Sequence, residues 1–326
     1  MSRLFPFITV FALFAVLAAS ELSAAPPDFR GLRSAPSSAL WESSPVLFSA
    51  SADTELYLGQ KRRRRGGGGR LWSNLYYGDT TLKPKNQDTV HPNFYGLQLG
   101  LDIPRGGGIY SRCFLGINQS KIKFAEATST IDNFILGTGR LLYFELCYFA
   151  FTGSVGYDRY AISQDGTSKG DGLQTNFFGE FGFSFPLGQW AFKPFYALQY
   201  DFLYHGNIGN DPVVQRDWNG HGLTQLFGLR LNWTPIQRLE LQSRAVWIHE
   251  MLDKPPPFYH MHFSPGHGVK TPAIMFYEGN VGRDWAWFGI GGKLDCALVH
   301  LFADYDIVFN GRQTTHLGSV GLLLGW

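Results

Sequence analysis

Histidines are the side chains whose type and spacing come nearest to a chemical site. Three of them, His260, His262 and His267, follow the prolines at 255–257, and His249 lies nearby at the end of a predicted strand. Clustered imidazoles bind zinc when three or four ligands surround the ion in a tetrahedral array. The spacing here matches no established zinc motif, so we predict a loop rich in aromatics and prolines, with no metal and no cofactor.

Hydrolysis is the second chemistry that the residue types permit. A nucleophilic mechanism needs a serine, a base and an orienting acid, and an aspartate with a histidine could activate water. The candidates are Asp211, Asp217, His221 and His249, but no Gly-x-Ser-x-Gly element occurs in the sequence. We therefore predict a non-enzymatic protein and keep a barrel hydrolase as an alternative.

The elements that would position such residues are β-strands, and the clearest strand closes the chain. In residues 316–326, period-two alternation separates an apolar face from a face dominated by small residues. In a membrane barrel the apolar face meets lipid and the terminal ring joins the interfacial aromatic girdle. We interpret the apolar face as the insertion signal read by the barrel-assembly machinery: Val320, Leu322, Leu324 and Trp326.

Composition fits the same class of protein. Beyond the amino terminus no apolar run reaches the length of a membrane-spanning helix, although 44% of the residues are hydrophobic and 16% aromatic. Strands that alternate between lipid and lumen give a near-neutral mean hydropathy, here −0.10. The net charge of +2 indicates no nucleic-acid partner, and three widely spaced cysteines imply no disulfide framework.

Alternating segments separated by glycine, proline, asparagine and aspartate predict an all-β fold, a transmembrane antiparallel β-barrel of about twelve strands. Residues 297–309 keep seven apolar positions in one register, with His300, Asp304 and Asp306 on the other face. The predicted strands are 71–79, 94–103, 108–124, 130–141, 146–162, 173–186, 190–205, 221–234, 237–251, 284–294, 296–310 and 314–326.

Connection lengths set the orientation, because outer-membrane barrels have short periplasmic turns and longer outside loops. The short connections are 103–106, 186–189 and 234–237, and the longer ones, 163–172, 206–220 and 252–283, are predicted to lie outside. A competing count makes 271–281 a strand and drops the first, which would place the long loops in the periplasm. We assign 271–281 to a structured outer loop.

Charged residues on the faces opposite the apolar positions are predicted to line the lumen. The structural interpretation is a ladder of ion pairs that stiffens a barrel of intermediate width. The predicted lumen charges are Asp102, Glu180, Asp201, Arg230, Glu240, Arg244, Asp304 and Asp306.

The amino terminus predicts export. Arg3 precedes an apolar stretch at 5–19, and Leu22-Ser23-Ala24 precede a cleavage site after Ala24, as in a secretory signal peptide. The apolar stretch is shorter than the roughly 20 residues of a spanning helix, which disfavours a membrane anchor. The predicted domains are a signal peptide at 1–24, a short disordered linker or vestigial passenger at 25–70, and a barrel at 71–326.

A basic run in the linker, KRRRR followed by four glycines, has two interpretations. One is a flexible, solvated connector. The other is a candidate lumen plug that is held by inward-facing acidic residues through Coulomb attraction in a confined space of low dielectric. The plug residues would be Lys61, Arg62, Arg63, Arg64 and Arg65.

Several segments carry a family resemblance when they are taken in order. They are Leu71-Trp72 with Tyr76-Tyr77-Gly78, then 95–102, then 194–200, then 228–230 with 247–250, and finally 282–285 with 289–291, Tyr305-Asp306, His316 and Trp326. Over residues 71–326 the chain resembles the β-barrel translocator domain of autotransporters (type V secretion). The resemblance implies an outer-membrane barrel that anchors, and exports or displays, the segment before it.

One departure from the family pattern concerns the passenger. Residues 25–70 are too few for a β-helical passenger, which needs several stacked repeats, and no asparagine pair of the self-cleaving members is found. The alternative is therefore a stand-alone pore or surface adhesin. The predicted partners are outer-membrane lipid and the assembly machinery, for a monomeric protein of the cell outer membrane.

Overall fold

The structure is a computed structural model of the full chain. It describes residues 69–83, 89, 91–123, 128–144, 146–164, 166–205, 208–210, 213–215, 218–236, 238–252, 259–263, 274–276, 283–296 and 299–325. The predicted signal peptide, the basic run at 61–65 and Trp326 lie outside these residues.

Every described secondary-structure element is a β-strand. The strands are β1 (Arg70–Leu82), β2 (Asn93–Gly106), β3 (Ile109–Lys123), β4 (Thr128–Phe144), β5 (Cys147–Gln164), β6 (Gly166–Phe183), β7 (Phe185–Leu187), β8 (Trp190–His205), β9 (Ile208–Asn210), β10 (Val213–Gln215), β11 (Trp218–Ile236), β12 (Leu239–Glu250), β13 (Tyr259–Phe263), β14 (Ile274–Phe276), β15 (Asp284–Cys296), β16 (Val299–Phe309) and β17 (Gln313–Gly325).

The long strands form one closed antiparallel barrel. Each long strand pairs with the long strands before and after it in the chain, so that β8 pairs with β11 and β12 with β15. The last strand, β17, pairs with β1 and closes the barrel. The short β7 continues β6 past Ser184, because Gly182 pairs with Phe195 and Phe185 with Phe192 in the same register on β8. The barrel therefore has twelve strands, as predicted, with β7 as an additional short piece.

The two ends of the barrel differ in their connections. At one end, called the turn end, β2 passes to β3 through Gly106, Gly107 and Gly108, all at positive φ that favours glycine. Arg70 and Gly325 pair at this same end. The opposite, or loop, end carries the longer connections 206–217 and 251–283. The predicted loop at 163–172 is wrong, since β5 and β6 continue to Gln164 and from Gly166 as a tight hairpin.

Two loop-end connections carry strands of their own. The strands β9, β10, β13 and β14 form a four-stranded sheet separate from the barrel. Within the predicted loop 271–281 the structure describes Ile274–Phe276, which is a strand and pairs with β13. These three residues belong to the separate four-stranded sheet and not to the barrel.

Side-chain polarity is inverted relative to a soluble β-protein. Large apolar side chains on alternate positions face outward, for example Ile117 at 54%, Leu136 at 54% and Val155 at 56% exposure, while polar side chains between them are buried inside. An outward apolar band suits a hydrocarbon solvent and closed strands leave no unpaired edge in it. Among the described residues, no helix is long and apolar enough to cross a membrane.

Aromatic rings bound this outward band. Near the turn end Trp190 stacks on Trp233 with centroids 5.2 Å apart. Near the loop end Tyr157 and Tyr204 are exposed, at 41% and 38%. Rings at both interfaces are the girdles typical of outer-membrane barrels.

Candidate functional site: the charged lining of the barrel

Two arginines face each other in the middle of the lining. Arg230 on β11 pairs in register with Arg244 on β12, and both are almost completely buried. Like charges directly opposite each other on neighbouring strands destabilise a sheet unless each finds a counter-charge. The two side chains find counter-charges in opposite directions around the barrel.

Arg230 reaches back across β8 to Glu180 on β6. Its Nη1 donates to Glu180 Oε1 at 2.6 Å and its Nη2 to Oε2 at 2.8 Å. The guanidinium lies 3.9 Å from the ring centroid of Phe195, which belongs to the strand in between. Tyr148 donates its hydroxyl to the same carboxylate at 2.6 Å. The group is a bidentate, charge-assisted pair on an aromatic support.

Arg244 reaches forward across β15 to Asp306 on β16. Its Nε and Nη2 donate to the two carboxylate oxygens at 2.7 and 2.8 Å, and Nη2 also meets Asp304 Oδ1 at 3.2 Å. Gly289 lies between the partners, and a Cβ there would come 2.0 Å from Asp306 Oδ1 and 2.3 Å from Arg244 Nε. Trp287 Nε1 donates to Asp306 at 2.8 Å. Only glycine leaves room for this pair.

Two further pairs lie nearer the turn end. Arg112 on β3 forms a bidentate pair with Asp102 on β2 at 2.7 Å, under the ring of Trp72. Lys293 on β15 lies 3.4 Å from Glu240 on β12. Each pair joins residues directly opposite on neighbouring strands. The carboxylates of this part of the lining therefore have cationic partners of their own.

A different chemistry lines β3 to β6. Asp158 on β5 is completely buried and accepts hydrogen bonds from the amides of Asn133 and Gln174 and, at 3.2 Å, from the hydroxyl of Tyr160. Asn118 extends this row by donating to Asn133 at 3.0 Å. Within the described part of the chain Asp158 has no cationic partner. A buried carboxylate held only by neutral donors favours the approach of a positive charge.

Asp201 lies on the neighbouring part of the lining. It accepts hydrogen bonds from Asn176 at 2.6 Å and from Gln199 at 3.0 Å. Asn176 Oδ1 and Gln199 Oε1 are themselves buried without a hydrogen-bond donor among the described atoms. This part of the lumen thus presents amide acceptor oxygens.

All eight predicted lumen charges lie on the inner face, six of them buried and Asp201 and Asp304 half-buried. The sequence-based selection missed five further charges of the lining: Arg112, Asp158, Lys193, Glu250 and Lys293. Their faces also carry large apolar or small residues, such as Phe114 beside Arg112, so polarity alone did not separate inside from outside. The structure places Val320, Leu322 and Leu324 outward, at 54%, 45% and 41% exposure.

Of the candidate chemical residues, His249 is the one whose side chain the structure describes. His249 Nδ1 lies 2.9 Å from Asp284 Oδ1 on the outer face, beside Trp247. Asp211, Asp217, His267 and the side chains of His221, His260 and His262 lie outside the described part of the structure. Among the described residues no group of three or more histidine, cysteine or acidic side chains could hold a metal. The three cysteines are free thiols.

Comparison with known proteins agrees with this architecture. The family model described as autotransporter beta-domain matches residues 71–306. No curated protein matches the chain significantly.

Three similar solved structures show the same fold. The translocator domain of the autotransporter NalP from Neisseria meningitidis is 15% identical, with a TM-score of 0.64, over 86% of this chain and 97% of that one. The β-domain of the Bordetella autotransporter BrkA is 15% identical, with a TM-score of 0.60, over 79% and 100%. The transport unit of AIDA-I from Escherichia coli is 14% identical, with a TM-score of 0.59, over 81% and 92%.

Proposed function

Because the chain belongs to the autotransporter β-domain family, whose barrels are outer-membrane proteins, we propose that it anchors and displays its own segment 25–70. The segment would be exported behind a signal peptide at 1–24 that is cleaved. It would then pass through the lumen from the turn end to the loop end. The role is one of holding and positioning a polypeptide, without enzymatic chemistry, cofactor or nucleic acid.

The starting point of β1 supports this path. Arg70 begins β1 at the turn end, beside Gly325, so residues before it approach the barrel at that mouth. The short turns and the end of β17 lie at the same mouth, which is the periplasmic side in outer-membrane barrels. A segment that starts there reaches the cell surface only through the lumen.

The environment of Asp158 is the main observation that supports the proposal. Asp158 is completely buried and held by neutral donors, whereas Asp102, Glu180, Glu240, Asp304 and Asp306 have basic partners within the barrel. The basic run at 61–65 would supply positive charge to it. In a confined space of low dielectric such a pair is stronger than in bulk water.

The distance from Arg70 to the basic run is compatible with the depth of Asp158 in the lumen. An extended chain advances roughly 3.3 Å per residue, so residues 61–65 would lie about 17–30 Å inside the lumen from Arg70. Asp158 is eleven residues beyond Cys147 at the turn end. With strands tilted 35–45°, that corresponds to roughly 28 Å along the barrel axis. The basic run and the carboxylate would then meet at one level.

The carboxyl-terminal strand bears on how the barrel is inserted into the membrane. We propose that the outward residues Val320, Leu322 and Leu324, together with Trp326, form the signal through which the barrel-assembly machinery inserts the protein. Because the barrel closes on itself through β1 and β17, it needs no second copy, and a monomer in outer-membrane lipid is expected.

Protease accessibility on intact cells tests the display. An epitope inserted near residue 40 should be removed by external protease, as should one inserted at Gly311 in a loop-end turn. An epitope at Gly107 in a turn-end connection should stay protected. Protection of the residue-40 epitope would contradict display and favour a stand-alone pore whose amino-terminal segment stays inside.

Single-channel conductance tests occupancy of the lumen. Deleting residues 26–70 should raise the conductance, because the segment that fills the pore is gone. Replacing the five basic residues together (Lys61→Gln, Arg62→Gln, Arg63→Gln, Arg64→Gln and Arg65→Gln) should raise it partly. An unchanged conductance in the deletion variant would rule out the plug.

A further inference from the structure

A groove lies on the outer surface of the barrel near the loop end. It runs along β5, β6 and the end of β8, with a volume of about 890 Å³. Its lining combines two basic side chains, two acidic ones and apolar or aromatic ones: Arg159, Lys169, Asp132, Asp171, Tyr157, Leu173 and Tyr204. The charged side chains of the groove lie on the membrane-facing surface and take no part in the lumen lining described above. Tyr160, which donates to Asp158, also borders the groove.

The basic groups of this groove are available for an anion. Strand register places Arg159 between Asp132 on β4 and Asp171 on β6. Both carboxylates accept hydrogen bonds from neutral donors instead, Asp132 from Gln119 at 2.5 Å and Asp171 from Tyr157 at 2.6 Å. Among the described side chains, neither Arg159 nor Lys169 has an ion pair or hydrogen bond, and both are exposed.

The level of the groove matches lipid headgroups. On β5 the outward side chains toward the turn end include Phe149 and Val155, followed by Tyr157 and then Arg159. The aromatic girdle marks the boundary between hydrocarbon and headgroups, and basic residues just beyond it attract lipid phosphates. Leu173 and Tyr204 continue the apolar side of the groove toward the hydrocarbon.

We propose that this groove binds the phosphate-bearing headgroup of a lipid in the outer leaflet. Arg159 donates two parallel hydrogen bonds to the phosphate, and Lys169 contributes a second positive charge. Tyr157 and Tyr204 contact the region where the acyl chains begin. The occupant is a lipid rather than a free anion because the groove opens on the same face as the lipid-exposed side chains.

Native mass spectrometry of the full chain in phosphatidylcholine nanodiscs tests the proposal. The probe is a bis-phosphorylated, acylated glucosamine disaccharide (lipid A), compared with its dephosphorylated form. The wild-type chain should retain the phosphorylated lipid preferentially. The double variant Arg159→Gln/Lys169→Gln should lose about tenfold in this preference, the size of one charge-assisted contact. Arg140→Gln, an outward cation at the turn end of β4, should leave it unchanged.

Three results would overturn the proposal. One is equal retention of the phosphorylated and dephosphorylated lipids by the wild-type chain. A second is an unchanged preference in the double variant. A third is displacement of the lipid by millimolar inorganic phosphate, which would identify a site for free anions. Heat-modifiable gel migration of each variant verifies that the barrel is folded, so a loss of binding is assigned to the groove.

Discussion

On the β11–β16 side of the lumen the carboxylates of Asp304 and Asp306 meet a guanidinium, whereas Asp158 on the β3–β6 side meets only amides and a phenol. The first arrangement is complete, because each of these carboxylates forms an ion pair with Arg244 within the barrel. In the second arrangement the carboxylate of Asp158 has no cationic partner among the described residues, so it would attract a positive charge. One side of the lining therefore stiffens the wall, and the other is chemically suited to a polypeptide that passes through.

The largest expected effect comes from breaking the complete side. Arg244→Ala leaves the buried Asp306 and the half-buried Asp304 without their guanidinium, which should reduce the free energy of unfolding by about 3–5 kcal/mol. Urea unfolding followed by heat-modifiable gel migration measures it. The matched control is Arg140→Gln, an exposed arginine whose loss should change stability by less than about 0.5 kcal/mol. Equal midpoints for the two variants would show that the buried pair contributes nothing.

Gly289→Ala tests the same side without removing a charge. The added Cβ would collide with both Asp306 and Arg244, so the pair must separate or the strands must shift, at a cost of about 1–3 kcal/mol. Gly318→Ala on β17 is the control, since no atom lies within 4 Å of a Cβ built there. A Gly289 variant as stable as the control in urea would contradict the close approach.

Asp158→Asn tests the incomplete side. If the basic run neutralises Asp158, the substitution should destabilise the full chain by about 1–3 kcal/mol, a typical coupling energy for a contact pair. It should have no such effect in the chain lacking residues 26–70. The same loss in both backgrounds, measured by urea midpoint, would show that the carboxylate serves the barrel alone.

The smallest expected effect concerns the hydrogen bond of Trp287. Trp287→Phe removes the 2.8 Å donation to Asp306 but keeps a large ring on the inner face, so a loss of about 1 kcal/mol is expected. Combining it with Arg244→Ala in a double-mutant cycle should give a non-additive sum, because both act on one carboxylate. Strict additivity would indicate that the two contacts are independent.

The sequence predicted the twelve barrel strands well because lipid and lumen impose opposite polarity on alternate residues. The prediction failed where that contrast is absent. Residues 163–172 belong to a hairpin that extends past the apolar girdle, so their polar composition suggested a loop. The sequence also did not reveal which charged residues of the lining form ion pairs with each other. Arg230 reaches Glu180 across an entire strand, fifty positions away, and that contact depends on barrel register and on the ring of Phe195.

The pairing of β1 with β17 has a consequence for when the barrel can form. Thirteen residue pairs join these strands, from Arg70 with Gly325 to Leu82 with Gln313, across more than two hundred intervening residues. Contacts so distant in sequence make folding slow, since a long stretch of chain must be ordered before they are gained. Until β17 has been synthesised and delivered, the backbone hydrogen-bonding groups on that side of β1 have no partner strand. The barrel therefore cannot close until β17 is available to β1, whatever strands have paired before it.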